Sequence, residues 1–192
     1  GLVRLGLDTP VVRGVTLQAA TWSGRYGLEA DPMDRVTAGD VIRLLVEQGD
    51  GRLAEDDFKP LPCGHPNCCS FTFLTRRGSR APLTRIVRYE DHLDQLSDRI
   101  RFDLADARRC CGPDWRREDF LRIVVKPFMD AYTYDEQRVR ECCIHVIRPG
   151  GTAVSFCRFN ALERQRAPEP PAYLDGQDRQ FCRVGRAERA PP

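Results

Sequence analysis

Lysine is almost missing from this chain: only Lys59 and Lys126 occur, and arginine carries the rest of the positive charge. The bias itself has no functional weight, but the balance does. Thirty Lys and Arg against 28 Asp and Glu leave a net charge of +2, far from the basic excess of a dedicated nucleic-acid binder. No apolar run approaches the roughly 20 residues of a membrane helix, so no transmembrane segment is expected. Neither an initiator methionine nor a charged n-region with an apolar h-region stands at the start, and the chain is expected to be the later part of a longer protein. At 192 residues and 41% hydrophobic content it can bury a core without disulfide staples.

Cysteine is abundant, with nine in all. Six sit in adjacent pairs, Cys68-Cys69, Cys110-Cys111 and Cys142-Cys143, and neighbouring side chains cannot bridge without strain. An odd total arranged in this way fits metal or cluster ligation in a reducing, cytoplasmic setting better than a disulfide framework.

Pattern divides the chain. Residues 11–18 form a β-branched apolar run, expected to be a buried strand that presents Gln18 at its C-terminal end. A loop follows to residue 36. Thr37 with Asp40 marks a helix start, and Val41, Ile42, Leu44, Leu45 and Val46 give that helix an apolar face ending at Gly49. Strand, loop, helix is the repeating unit of an α/β barrel or doubly wound sheet. From Pro60 a proline-rich segment sets in, and residues 70–75 read as a short strand. A helix is expected over 89–111 with Leu93, Leu96, Ile100 and Leu104 on one side. Residues 120–125 and 144–147 read as buried strands with a short helix, 136–141, between them. The 148–151 turn folds 144–147 onto 152–156 as a hairpin. From residue 162 the composition is that of a disordered tail.

Cys63-Gly-His-Pro-Asn-Cys68 exposes two thiols in a rigid loop. Cys142 and Cys157 bracket the expected hairpin, so its folding back brings them together. Those four make a candidate thiolate site for either [4Fe-4S] or structural zinc. His65, lying between the first two, is a candidate donor to cluster sulfide or substrate. Cys69, Cys110, Cys111 and Cys143 are read as core residues, and Cys182 as part of the tail. Lys126 and Asp130 flank an apolar turn and fit either a substrate contact or a structural ion pair.

Pro62-Cys-Gly-His-Pro-Asn-Cys68, Lys126-Pro-Phe-Met-Asp-Ala-Tyr-Thr-Tyr-Asp135, Glu141-Cys-Cys-Ile-His145 and Ser155-Phe-Cys-Arg-Phe-Asn160 occur here in that order. Together they resemble a radical S-adenosylmethionine family, the tetraether synthase and class D methylase-like group, over residues 11–160. The resemblance implies an α/β chain. Residues 1–58 would be the end of a radical SAM (β/α) barrel, 59–161 a small α+β auxiliary iron-sulfur domain, and 162–192 a tail. It implies an auxiliary [4Fe-4S] cluster on Cys63, Cys68, Cys142 and Cys157, with Gln18 lining the S-adenosylmethionine or substrate pocket. It further implies S-adenosylmethionine and another [4Fe-4S] cluster in the full-length enzyme, and hydrogen abstraction from an unactivated carbon leading to methylation or C–C bond formation. The substrate would be a small molecule or lipid, pterins and lipid chains both occurring in the group, and the electron donor a ferredoxin or flavodoxin.

The sequence departs from the group at the hairpin turn, Pro149-Gly150-Gly151 in place of Pro-Asp-Gly, and at Ser155 and Phe159. The C-x3-C-x2-C loop of the radical-generating cluster is nowhere in these residues, so this chain alone is expected to be inactive. Two other readings compete: a non-catalytic zinc-binding interaction module on the same four cysteines, and nucleic-acid binding through Arg76, Arg77, Arg80, Arg85 and Arg88. The second lacks the interleaved aromatics of a stacking platform.

Overall fold

Along residues 120–125, Phe-Leu-Arg-Ile-Val-Val, side chains alternate between two faces, and both faces find apolar cover. The computed structural model describes residues 1–23, 31, 33–61, 64–93 and 104–164, with the side chains of 104, 106, 107 and 110 outside that description. Four strands form one sheet: β1 (Gly14–Leu17), β2 (Lys59–Pro60), β3 (Ser70–Thr75) and β4 (Phe120–Val125), in the order β1-β4-β3-β2. β1 runs parallel to β4, Leu17 opposite Val125, while β3 runs antiparallel, Ser70 opposite Val125. A strand from before residue 58 therefore shares a sheet with three from after it.

One face of the sheet carries Leu121, Ile123 and Val125 of β4 with Leu74 of β3, packed with Leu7, Leu53 and Phe58 into the main core. Two helices cover it, α1 (Leu2–Asp8) and α2 (Ala38–Glu47). α2 begins as the sequence predicts. The Thr37 side chain accepts the Asp40 N–H at 3.2 Å, and Asp40 Oδ2 accepts the Thr37 N–H at 2.8 Å, a reciprocal cap that satisfies two orphan donors. Val41, Ile42, Leu45 and Val46 pack on the core. On the opposite face Leu83 and Phe120 form a smaller cluster with Phe73, Val87, Cys111 and Trp115. Among the described residues, no helix is long and apolar enough to cross a membrane.

Of the expected helix over 89–111, the described residues show a 3-10 turn, Tyr89–His92, and α3 (Leu104–Cys111); residues 94–103, with Leu96 and Ile100, lie outside the described residues. β1 is shorter than expected and half covered rather than buried, because it is an edge strand with one hydrogen-bonded neighbour. The second sheet is the hairpin of β5 (His145–Ile147) and β6 (Ala153–Ser155), preceded by α4 (Glu136–Arg140). Its turn is closed by the Gly151 N–H on the Arg148 carbonyl, with Gly150 and Gly151 at φ 89 and 82. β5 was expected to be buried. It is not: Ile147 is 67% exposed, since a two-stranded ribbon has no third layer to cover it. Leu162 lies in the helical turn Phe159–Glu163 that ends the described chain.

Candidate functional site

The register of the sheet gathers the candidate residues. With Leu17 and Ser70 both opposite Val125, the residues after β1 and β4 and those before β3 meet at one sheet edge. Gln18, Lys126, Cys69 and Cys68 all fall there. The Lys126 N–H donates to the Leu17 carbonyl at 3.0 Å, continuing the parallel ladder one step. This is the C-terminal edge of the parallel pair, where α/β folds place their ligand sites.

Cys68 ends the 3-10 turn Pro66–Cys68, whose N-cap is His65: its Nδ1 accepts the Asn67 N–H at 3.2 Å. Half-buried His65 is thus committed through Nδ1 to holding the loop, which leaves Nε2 as the protonated nitrogen and a remaining donor. Gly64 sits at φ 81, and a Cβ there would stand 2.7 Å from the Glu141 carbonyl oxygen. Only glycine lets this loop press on the end of α4.

Cys142 follows α4 directly, its N–H on the Val139 carbonyl at 3.2 Å and its thiol donating to the Ile144 carbonyl at 3.0 Å. Cys157 sits in the helical turn Phe156–Arg158 that β6 runs into, capped by the Ser155 side chain. Burial pushes the Cys157 thiol up, and a backbone hydrogen bond from Met129 opposes that rise. Cys68, Cys142 and Cys157 line one cavity of about 30 Å³ together with Cys143, Lys126 and Arg138. Cys142, after α4, and Cys157, after β6, thus share a cavity wall with Cys68 from the proline-rich loop. Cys63 lies outside the described residues; its neighbour Gly64 lines the same cavity. Among the described residues, no three His, Cys, Asp or Glu close around a single-ion site.

The cysteines set aside as core divide. Cys69 is buried at the edge of β3, and burial raises its thiol. Cys111 packs against the Leu83 and Phe120 cluster. The reading of Cys143 as core is overturned: it is exposed in the turn between α4 and the uncovered ribbon of β5 and β6, and lines the cavity. The side chain of Cys110 and all of Cys182 lie outside the described residues.

Lys126 extends over the Phe128 ring, 5.6 Å from its centroid, and Phe128 packs on Phe156 at 5.1 Å. Asp130 does not pair with Lys126. It is wholly buried and pairs with Arg35 at 3.4 Å while accepting the N–H groups of Trp22, Tyr132 and Thr133. Burial pushes its carboxyl up, but those bonds and the Arg35 charge hold it below the usual carboxylate range. It therefore ties the segments around residues 22 and 35 to the turn after β4, a role no local pattern signals. Gln18 is exposed at the end of β1.

A larger cavity, about 460 Å³, opens between α1, α2 and the sheet; among the described residues its wall is mainly leucine and valine and holds no cysteine or histidine. The arginines of the nucleic-acid reading have protein partners: Arg76 on backbone carbonyls, Arg77 on Asp119 at 2.7 Å, Arg80 on Asp8 at 2.7 Å, and Arg85 on Asp57 at 2.9 Å. Arg88 faces Asp91 at 3.9 Å.

No protein-family model matches the chain. It is similar to a curated protein, the 7,8-dihydro-6-hydroxymethylpterin dimethyltransferase of Methanocaldococcus jannaschii, at 25% identity over an alignment of 233 positions. That alignment takes in 88% of this chain but 46% of the relative, so the chain spans about half the length of the protein it matches. The chain is thus a distant relative of a pterin-modifying methyltransferase.

Proposed function

We propose that this chain is the C-terminal part of a radical S-adenosylmethionine enzyme, in which Cys63, Cys68, Cys142 and Cys157 hold an auxiliary [4Fe-4S] cluster. The observation that carries the reading is the meeting of Cys68, Cys142 and Cys157, far apart in sequence, at one cavity on the C-terminal edge of the β1–β4 pair. The donor set suits the group: soft sulfur ligands around a largely apolar pocket, and a buried arginine Nε–H in the cavity wall without an acceptor among the described residues. Cys63 supplies the fourth thiolate from beside Gly64. Ligation asks Cys142 to release its bond to the Ile144 carbonyl.

When bound, the cluster supplies one-electron chemistry. The protein's own part is to hold it at the sheet edge: His65 and Gly64 shape the Cys63–Cys68 loop, and Ser155 caps the turn bearing Cys157. Phe128 and Phe156 keep water from the floor. Residues 1–58 are read as the end of the barrel and 59–161 as the auxiliary domain, joined through the shared sheet. In the whole enzyme a methyl transfer or C–C bond formation on a pterin-like or lipid substrate, fed by ferredoxin or flavodoxin in the reducing cytoplasm, is the activity this reading supports. Gln18, exposed beside Lys126 at the sheet edge, would face that substrate or S-adenosylmethionine.

The test is anaerobic reconstitution of the 192-residue chain with ferrous iron and sulfide, beside a zinc-loaded sample. The reading expects a brown protein with iron and acid-labile sulfide in equal amounts, lost in Cys157→Ala and kept in Cys111→Ala. A colourless protein that retains zinc and rejects iron would establish the zinc module instead. Under dithionite, the chain should release no 5′-deoxyadenosine from S-adenosylmethionine; cysteine-dependent release would overturn the ligand assignment.

A further inference from the structure

Arg138 stands on α4 and lines the cysteine cavity. Its orientation is set at both ends. Asp135 caps the helix, accepting the Arg138 N–H at 3.3 Å, and one guanidinium nitrogen, Nη2, donates to the Pro127 carbonyl at 2.9 Å. The Nε–H is different. It is buried and has no hydrogen-bond partner among the described residues, although a buried donor left unmade costs about 1–3 kcal/mol, and more when charged. Such a group calls for an acceptor, and the neighbouring wall of the cavity offers sulfur: Cys68, Cys142 and Cys157 line it with Arg138.

Charge points the same way. Four thiolates around an iron-sulfur core concentrate negative charge in a site partly cut off from water, where each nearby full charge counts for more than at the surface. Among the described residues, two cationic residues line this cavity, Lys126 and Arg138, and one acidic residue, Glu141. The Glu141 carboxylate accepts from Gln137 Nε2 at 3.3 Å, and Lys126 lies against the Phe128 ring. Arg138 is the cation with a buried, unspent donor. Hydrogen bonds and positive charge directed at cluster sulfur stabilise the reduced, more negative state and so raise the reduction potential.

We propose that Arg138 is a positioning residue of the cluster site: its Nε–H donates to a cluster sulfur or ligating thiolate, and its charge sets the potential. The inference rests on the cluster reading above and assigns Arg138 no ligand role. Arg138 itself makes and breaks no bond to iron.

The test compares wild type, R138Q and R138K of the 192-residue chain, each reconstituted anaerobically with ferrous iron and sulfide. Iron and sulfide content, far-ultraviolet circular dichroism and a spectroelectrochemical midpoint are measured on each. With clusters retained, the midpoint of R138Q should fall and that of R138K should fall less, because lysine restores the charge but not the Nε–H. Loss of the cluster from a folded R138Q, with R138K keeping it, also supports the role. Wild-type midpoints in both variants overturn the inference and leave the cluster reading intact. Failure of both variants to fold or to take iron assigns Arg138 to holding Pro127 and overturns it as well. A wild-type chain that takes up no iron overturns both readings at once.

Discussion

Asp130 shows what a single residue hides. From sequence it is an acid beside an apolar turn, equally suited to substrate or to Lys126. In the structure two of its donors come from residues 108 and 95 positions away, Trp22 and Arg35, and that distance is why no window of sequence could reveal them. Arg35 also lies over the Trp22 ring, 4.6 Å from its centroid, so one carboxylate organises a backbone amide, a cation and an aromatic ring. Asp130→Asn turns an acceptor oxygen into a donor facing donors, and should cost about 2–4 kcal/mol, read as a lower urea midpoint. The sign with pH follows from the lowered carboxyl. Its contribution is complete above the unfolded value of about 3.9 and is lost as pH falls through the lower folded one. Acid unfolding of wild type should therefore be steeper than that of Asp130→Asn below about pH 4. Equal slopes would assign the acid sensitivity to other carboxylates.

Elements were more legible than residues. The short apolar runs at residues 70–75 and 120–125 gave both strands to the residue, and Thr37 with Asp40 gave the start of α2. The Pro-Gly-Gly turn gave the hairpin, yet not its exposure, because an apolar run states what can be buried and not whether a layer is there to bury it. In the site, loop and hairpin logic singled out Cys68, Cys142 and Cys157, which line one cavity. The places of Cys143 and Arg138 on that cavity were not legible, since both depend on how the chain runs through and leaves α4. The loop carrying Cys68 offers a test at this scale. Gly64 and Gly150 have similar positive φ, 81 and 89, but a Cβ at Gly64 meets the Glu141 carbonyl whereas at Gly150 it meets nothing within 4 Å. Gly150→Ala should lose only the left-handed backbone term, about 1 kcal/mol. Gly64→Ala should lose that and also push the loop from α4, lowering iron retention severalfold in the reconstitution assay while Gly150→Ala retains it. Matching iron contents would show that the close approach is not needed to hold the cluster.

At the scale of the whole molecule, the parallel pairing of β1 with β4 joins parts of the chain more than a hundred residues apart, and Arg76 clamps that join. Its guanidinium donates to the Glu118 and Phe120 carbonyls at 2.6 and 2.7 Å and to the Gly6 carbonyl at 2.8 Å. It also reaches Leu7 at 3.3 Å, and Val12. Gly6 and Leu7 lie in the last turn of α1, where carbonyls have no intrahelical partner, and that turn has no basic residue of its own. A cation from beyond β3 thus satisfies the end of α1 and the start of β4 at once. Arg76→Met keeps much of the aliphatic stem but leaves those carbonyls without donors, at a cost of about 3 kcal/mol. The loss should be local before it is global: α1 is held by this clamp and by Leu7, whereas β3 and β4 keep their own ladder. Hydrogen exchange should therefore quicken in residues 2–17 of Arg76→Met well before it does in 70–75 or 120–125, with cluster content unchanged because the cavity lies at the other end of β4. Uniform quickening across the sheet would mean that α1 and the strands open as one unit, and that the clamp holds the fold together rather than its first helix.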